Sequence, residues 1–137
     1  QGWLRTPHLQ FVYANALEYP LPESDAFILN DILHYMNYEH QRTLLLRCME
    51  QLRPEGKLIV RDGNAANTRK HRLTRFTELL STGIFSFNKT TEQLCFTSEA
   101  QIRSIAQEGG MQLEILPNDR YTSNTIYIFQ KNKPEHE

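Results

Sequence analysis

The sequence predicts an α/β fold: a mostly parallel sheet with helices on both faces. Three observations carry that expectation. Short apolar runs alternate along the chain with segments of helical periodicity. Two of those runs, Ala26–Leu29 and Leu58–Val60, are apolar at every position, as in strands covered on both faces. Each then ends abruptly in polar residues, Asn30–Asp31 and Arg61–Asp62.

The elements follow in order. Leu9 to Tyr13 is β-branched and aromatic, is stopped by Pro20 and Pro22, and reads as a first strand. Ala26–Leu29 is the second. Asn37 is an N-cap for a helix whose Leu44, Leu45, Cys48, Met49 and Leu52 share one face. Pro54 and Gly56 end that helix in a turn. After the strand Leu58–Val60, a second helix carries Leu73, Phe76, Leu79 and Leu80, and stops near Gly83. Ser98 and Gln101 make a capping box for a third helix, closed by Gly109–Gly110. Met111, Leu113 and Ile115 alternate with polar residues as in a half-covered strand, and Thr125–Gln130 is the last strand.

With 137 residues, 39% hydrophobic and 23% charged, the chain suits one domain, here residues 1–130, with a polar tail at 131–137. A net charge of −1 excludes a general nucleic-acid footprint. No apolar run reaches the roughly 20 residues of a membrane span. Cys48 and Cys95 form neither a metal-binding spacing nor a disulfide framework, which points to a reducing, cytoplasmic compartment. The chain begins at Gln1 rather than Met, so it is expected to be a piece of something longer.

In open parallel sheets ligands bind outside the carboxyl ends of the strands. That rule selects Asn15–Ala16, then Asn30–Asp31 with His34–Tyr35, then Arg61–Asp62. Polar residues also simply mark where a strand surfaces, but three such groups fall in one topological place.

These residues carry a family resemblance. The order strand, Ala14–Met36, helix, Leu52–Asp62, helix, strand, strand resembles the carboxy-terminal portion of a class I S-adenosylmethionine-dependent methyltransferase. Asn15–Ala16 stand where that family has an acidic-or-polar plus small pair at the adenine. Asp25 and Leu33–His34 match its next strand, and Leu52–Arg53–Pro54–Glu55–Gly56 its Leu-x-Pro-Gly-Gly turn. The resemblance covers residues 9–130. It implies an incomplete Rossmann-like sheet with an antiparallel final strand, in the family order 3-2-1-4-5-7-6. It implies S-adenosyl-L-methionine as cofactor, met by Asn15, Ala16, Asn30, Asp31 and His34. It implies a small-molecule or lipid-like methyl acceptor met by Tyr35, Arg61 and Asp62.

The departures matter too. The family's first two strands are absent from the chain, and with them the glycine-rich turn and the carboxylate for the ribose. Glu55 replaces a glycine of the turn, and Asn15 the commoner Asp. Hydrogen bonds to charged groups contribute roughly 1.5–3 kcal/mol each, so losing two or three weakens binding by several powers of ten. The chain alone is therefore expected to bind the cofactor feebly or not at all, and to be inactive in isolation. The missing strands would also leave one edge of Ala26–Leu29 unpaired. Either the first strand docks there or a second copy does, giving a homodimer.

His34 has two readings: a catalytic base, or a ring that flanks the cofactor pocket and packs on Tyr35. Arg61 and Asp62 meet the acceptor or form an ordinary ion pair. The basic run Arg61, Arg69, Lys70, Arg72 and Arg75 greets an anionic acceptor or coats a solvated helix face. Ile84, Phe85, Phe87 and Phe96 line an acceptor pocket or fill a core. The sequence thus leaves two functions: part of a methyltransferase, or a non-catalytic α/β interaction module derived from one.

Overall fold

The structure is a computed structural model that describes residues 8–63, 95–116 and 124–132. Four strands, β1 (Ser24–Asn30), β2 (Leu52–Gly63), β3 (Met111–Leu116) and β4 (Asn124–Lys131), form one sheet in the order β1-β2-β4-β3. A 3-10 turn (Leu33–Tyr35) and helix α1 (Tyr38–Glu50) connect β1 to β2, and helix α2 (Glu99–Glu108) precedes β3. β1 and β2 are parallel, while β4 runs antiparallel to both β2 and β3. Three strands therefore share a direction and the last is reversed, as the resemblance implies. The sheet also reproduces the 4-5-7-6 half of the family order.

Local sequence accounts for most of these boundaries. Asn37 Oδ1 accepts the His40 N–H at 2.8 Å and starts α1. Ser98 and Gln101 form the reciprocal capping box of α2. Gly110, at φ +68°, turns the chain into β3. Between the Ser24↔Leu52 and Ala26↔Lys57 pairs the register shifts to accommodate the Pro54–Gly56 turn. A Cβ on Gly56 would lie 2.8 Å from the Arg53 carbonyl oxygen and 3.0 Å from that of Asp25, so only glycine fits there. Glu55 beside it sits at φ +66°, a left-handed conformation that costs an L-residue roughly 1–2 kcal/mol.

One core holds the domain together. Leu58 and Val60 of β2 lie opposite Phe129 and Tyr127 of β4, and all four are fully buried. Onto that face pack Leu44, Leu45, Cys48 and Met49 of α1 and Ile102, Ile105 and Ala106 of α2. Burial raises the Cys48 thiol to about 11. Both described helices thus lie on the same face; the expected helix at Leu73–Leu80 falls outside the described residues. On the other face Ile28 is 69% exposed among the described residues, so the absence of alternation in β1 does not mark double coverage here.

The expected strand at Leu9–Tyr13 is not formed. Those residues have no regular structure, and Leu9, Phe11, Val12 and Tyr13 are all exposed. In the family order this strand is separated from β1 by strands the chain lacks, so its intrinsic preference has no neighbour to pair with. It does not dock on β1, which pairs only with β2 among the described residues. At the other end, β4 extends through Lys131, the first residue of the expected tail; Lys131 pairs with Met111 and its ammonium donates to the Leu52 carbonyl. Residues 133–137 lie outside the described residues.

Candidate functional site

The carboxyl ends of β1 and β2 lie side by side, with Asn30 paired to Arg61. Asp31 leaves β1 at φ +54°, a conformation an aspartate tolerates better than most residues. Its N–H donates to the Arg61 carbonyl at 2.8 Å. Arg61 Nη1 in turn donates to Asp31 Oδ2 at 2.7 Å and to Asn30 Oδ1 at 3.1 Å. The Arg61–Asp31 pair is about two-fifths exposed, so it orders the strand tips more than it stabilises the fold.

Asp62, next along β2, faces the opposite way and is 1% exposed. Its Oδ2 accepts the Leu33 N–H at 2.7 Å and the His34 N–H at 3.3 Å. Its Oδ1 accepts the Gly63 N–H at 2.8 Å and lies 2.7 Å from His34 Nδ1. One carboxylate therefore holds the N–H side of the 3-10 turn, and it favours the imidazole tautomer that carries a proton on Nδ1. The His34 side chain is 11% exposed, and its Nε2 has no hydrogen-bond partner among the described residues. Tyr35 packs against the ring at 4.1 Å and Phe96 stacks on it at 5.5 Å and 17°.

Asn15 and Ala16 lie elsewhere. The Asn15 Oδ1 accepts the Leu17 N–H at 3.0 Å, closing a local turn. The carbonyls of Ala16 and Tyr19 accept from Arg47 Nη1 at 2.6 Å and Nη2 at 2.5 Å. Arg47 is in the last turn of α1, about 15 Å along the helix from the Asn37 cap beside His34. Among the described residues no hydrogen bond or ion pair links Asn15 or Ala16 to the strand tips. The structure thus brings Asn30, Asp31, His34, Tyr35, Arg61 and Asp62 together and leaves Asn15 and Ala16 apart.

Sequence reasoning missed Gln41. This residue is 1% exposed, and its Nε2 lies within 3.0 Å of the carbonyls of Leu33, Met36 and Cys95. The available signal was a polar residue on the apolar face of α1, one turn before Leu44 and Leu45. Phe96 was noted only as part of an aromatic stretch; its residues 84–94, like Arg69, Lys70, Arg72 and Arg75, lie outside the described residues. Among the described residues no group of His, Cys, Asp and Glu could hold a metal ion. None of their helices is long and apolar enough to cross a membrane.

A sheet of this order, with its last strand reversed and polar groups at the tips of β1 and β2, defines a Rossmann-like methyltransferase domain. The chain belongs to the family of the O-methyltransferase domain, whose model matches residues 4–112. Among curated proteins none matches. Solved structures share the fold. An O-methyltransferase family protein from Burkholderia thailandensis has a TM-score of 0.62 at 21% identity over 92% of this chain and 36% of its own. Human N-acetylserotonin methyltransferase, in complex with S-adenosylmethionine, has a TM-score of 0.61 at 18% identity over 92% and 36%. The N-methyltransferase NodS from Bradyrhizobium japonicum, in complex with S-adenosyl-L-homocysteine, has a TM-score of 0.64 at 15% identity over 93% and 57%. The chain therefore spans about one third to just over one half of these proteins.

Membership of the family implies S-adenosyl-L-methionine as the cofactor. The strand tips carry two groups that could hold part of such a cofactor. Asn30 is an exposed carboxamide whose N–H₂ has no partner among the described residues, and Asp31 is a half-exposed carboxylate. The chain has no G-x-G turn of the kind that would hold the methionine end.

Proposed function

We propose that this chain is the part of an S-adenosylmethionine-dependent O-methyltransferase that carries the acceptor-activating base and one wall of the cofactor site. The observation that carries the reading is the buried Asp62 carboxylate 2.7 Å from His34 Nδ1 at the mouth of β1 and β2. With Nδ1 protonated toward Asp62, the neutral ring presents Nε2 as a bare acceptor. The bound cofactor supplies an electrophilic methyl group on a sulfonium. His34 Nε2 would accept the proton of an acceptor hydroxyl while its oxygen displaced the neutral thioether from the methyl carbon, and Asp62 would stabilise the imidazolium that results. Asp62 is buried and fully engaged, so its role is to orient His34 rather than to touch the acceptor.

Asn30 and Asp31 then meet the nucleoside, and Tyr35, Arg61 and Phe96 border the acceptor. Asn15 and Ala16 reach the adenine once the remaining strands of the sheet draw the first strand toward β1. The acceptor is a small molecule, and the aromatic groups around His34 suit a lipid-like or aromatic one. This chain alone shows no saturable cofactor binding at micromolar concentration; a tight isotherm overturns that part of the reading. A second copy on the open β1 edge belongs to the same proposal, and a monodisperse monomer with slow amide exchange across Ala26–Leu29 overturns it.

The test of the base is a chimera in which this chain replaces the matching part of the Burkholderia thailandensis protein. S-adenosylhomocysteine release is followed with a panel of phenolic and aliphatic hydroxyl acceptors. His34→Gln lowers turnover by roughly 10²–10⁴-fold, the usual contribution of a general base, while the exposed His40→Gln leaves it unchanged. Full turnover in His34→Gln sinks the assignment.

A further inference from the structure

The Asp62 carboxylate holds only one side of the turn that carries His34. It reaches the N–H groups of Leu33 and His34 and the ring Nδ1, but none of the turn's carbonyls. Gln41 reaches the carbonyls at the turn's two ends and one on a neighbouring segment. Its Nε2 lies 2.8 Å from the Leu33 carbonyl oxygen, 3.0 Å from that of Met36 and 2.7 Å from that of Cys95. Two of these carbonyls bracket His34 in the chain. The third immediately precedes Phe96, whose ring lies 5.5 Å from the imidazole and within 17° of parallel. The Cys95 N–H also donates to the His34 carbonyl at 3.0 Å, so the two segments are laced together at the histidine itself.

We propose that Gln41 is a positioning residue for His34: one buried amide fixes both the turn and the aromatic ring that confine the imidazole, so that Nδ1 stays on Asp62 and Nε2 faces outward. The inference rests on the reading of His34 as the base. Its physical content is that a single hydrogen bond to Nδ1 leaves the ring free to tilt or rotate about its Cβ–Cγ bond. Packing by Phe96 on one face and a turn held at both ends remove that freedom. A glutamine suits the task because its N–H₂ offers two donors from one atom and carries no charge into the core. Without it, the carbonyls it gathers lose an amide donor, and that of the fully buried Leu33 keeps only the Met36 N–H.

The experiment uses the 137-residue chain labelled with nitrogen-15 at histidine, and the near-isosteric variant Gln41→Met. In the wild type at neutral to alkaline pH the two His34 nitrogen signals are well separated, as expected for a single Nδ1–H tautomer. In Gln41→Met, with the amide signals of α2 and β4 still in place, the two move toward each other as both tautomers populate, and the ring-current shift from Phe96 is lost. An unchanged tautomer and ring-current shift would show that Gln41 merely fills the core, and would overturn the proposal.

Should Gln41→Met fail to fold, hydrogen exchange of the wild type decides. The Gln41 side-chain hydrogens and the Cys95 N–H should report one shared opening, with protection agreeing within about threefold; a difference of about tenfold or more contradicts the lacing. The two readings fail separately. If the tautomer is lost in Gln41→Met while His34→Gln keeps methyl transfer, Gln41 positions a ring that is not the base. If His34→Gln loses transfer while Gln41→Met keeps the tautomer, the base stands and the positioning falls.

Discussion

Leu9–Tyr13 and Leu33–Met36 lie on either side of β1, and their fates are opposite. The first is apolar and β-branched, as a strand should be, yet it is exposed and has no regular structure. The second has no regular pattern, yet Asp62 accepts its Leu33 and His34 N–H groups and Gln41 donates to its Leu33 and Met36 carbonyls. The contrast teaches that order follows from partners for the backbone rather than from the propensity of the segment itself.

The sharpest way to break the comparison is to remove the partner. Asp62→Ala strands the N–H groups of Leu33 and Gly63 and releases His34, so it should cost about 3–5 kcal/mol in urea denaturation, as breaking a buried charged network does. The half-exposed Asp31→Ala should cost under about 1 kcal/mol. Equal costs would mean that Asp62 does not anchor the turn. Next in size is the contrast between aromatic residues. Phe129→Ala, in the core, should lose about 3–5 kcal/mol, and the exposed Phe11→Ala no more than about 0.5 kcal/mol. A large loss at Phe11 would reveal a docked first strand.

Much of this architecture was legible in the residues. Asn37, the Ser98–Gln101 box and Gly109–Gly110 act within a few residues of themselves, so their meaning does not depend on the rest of the fold. The alternation in β3 and Leu44, Leu45, Cys48 and Met49 of α1 likewise matched what they bury, whereas Leu52, expected on that helix, opens β2 because α1 already ends at Glu50. The first strand was misread because pairing is a long-range property, and its neighbours are not in the chain. At the site, Asn30, Asp31, His34, Tyr35, Arg61 and Asp62 were selected by the strand-tip rule. The division of labour between Arg61 and Asp62 was not, since it depends on which face of β2 each occupies. Gln41 escaped notice because its partners are carbonyls, which no sequence motif records.

Two smaller effects sharpen the picture of local against long-range order. Glu55→Gly should stabilise the chain by about 1 kcal/mol, because it relieves a left-handed residue in a turn that already requires Gly56; a destabilised variant would mean that the turn adopts another conformation. Smallest is the surface pair joining α1 to α2. Arg42 donates to Glu108, Nε to Oε2 at 2.9 Å, and holds that carboxyl below the usual glutamate range. A lowered carboxyl stabilises the folded chain above its ordinary pKa and loses that contribution as the pH falls through its own lower value. Glu108→Gln should therefore show a small deficit at pH 7 that closes in acid, and a deficit independent of pH would exclude the pair as its source.

The account turns on one pair of atoms, and nitrogen-15 spectroscopy of His34 in the unaltered chain reads them directly. The neutral imidazole should carry its proton on Nδ1, with a downfield-shifted resonance that disappears in Asp62→Asn or moves to the other nitrogen. A proton on Nε2, or two nitrogens averaging freely, would contradict the claim that Asp62 holds this histidine ready to accept a proton.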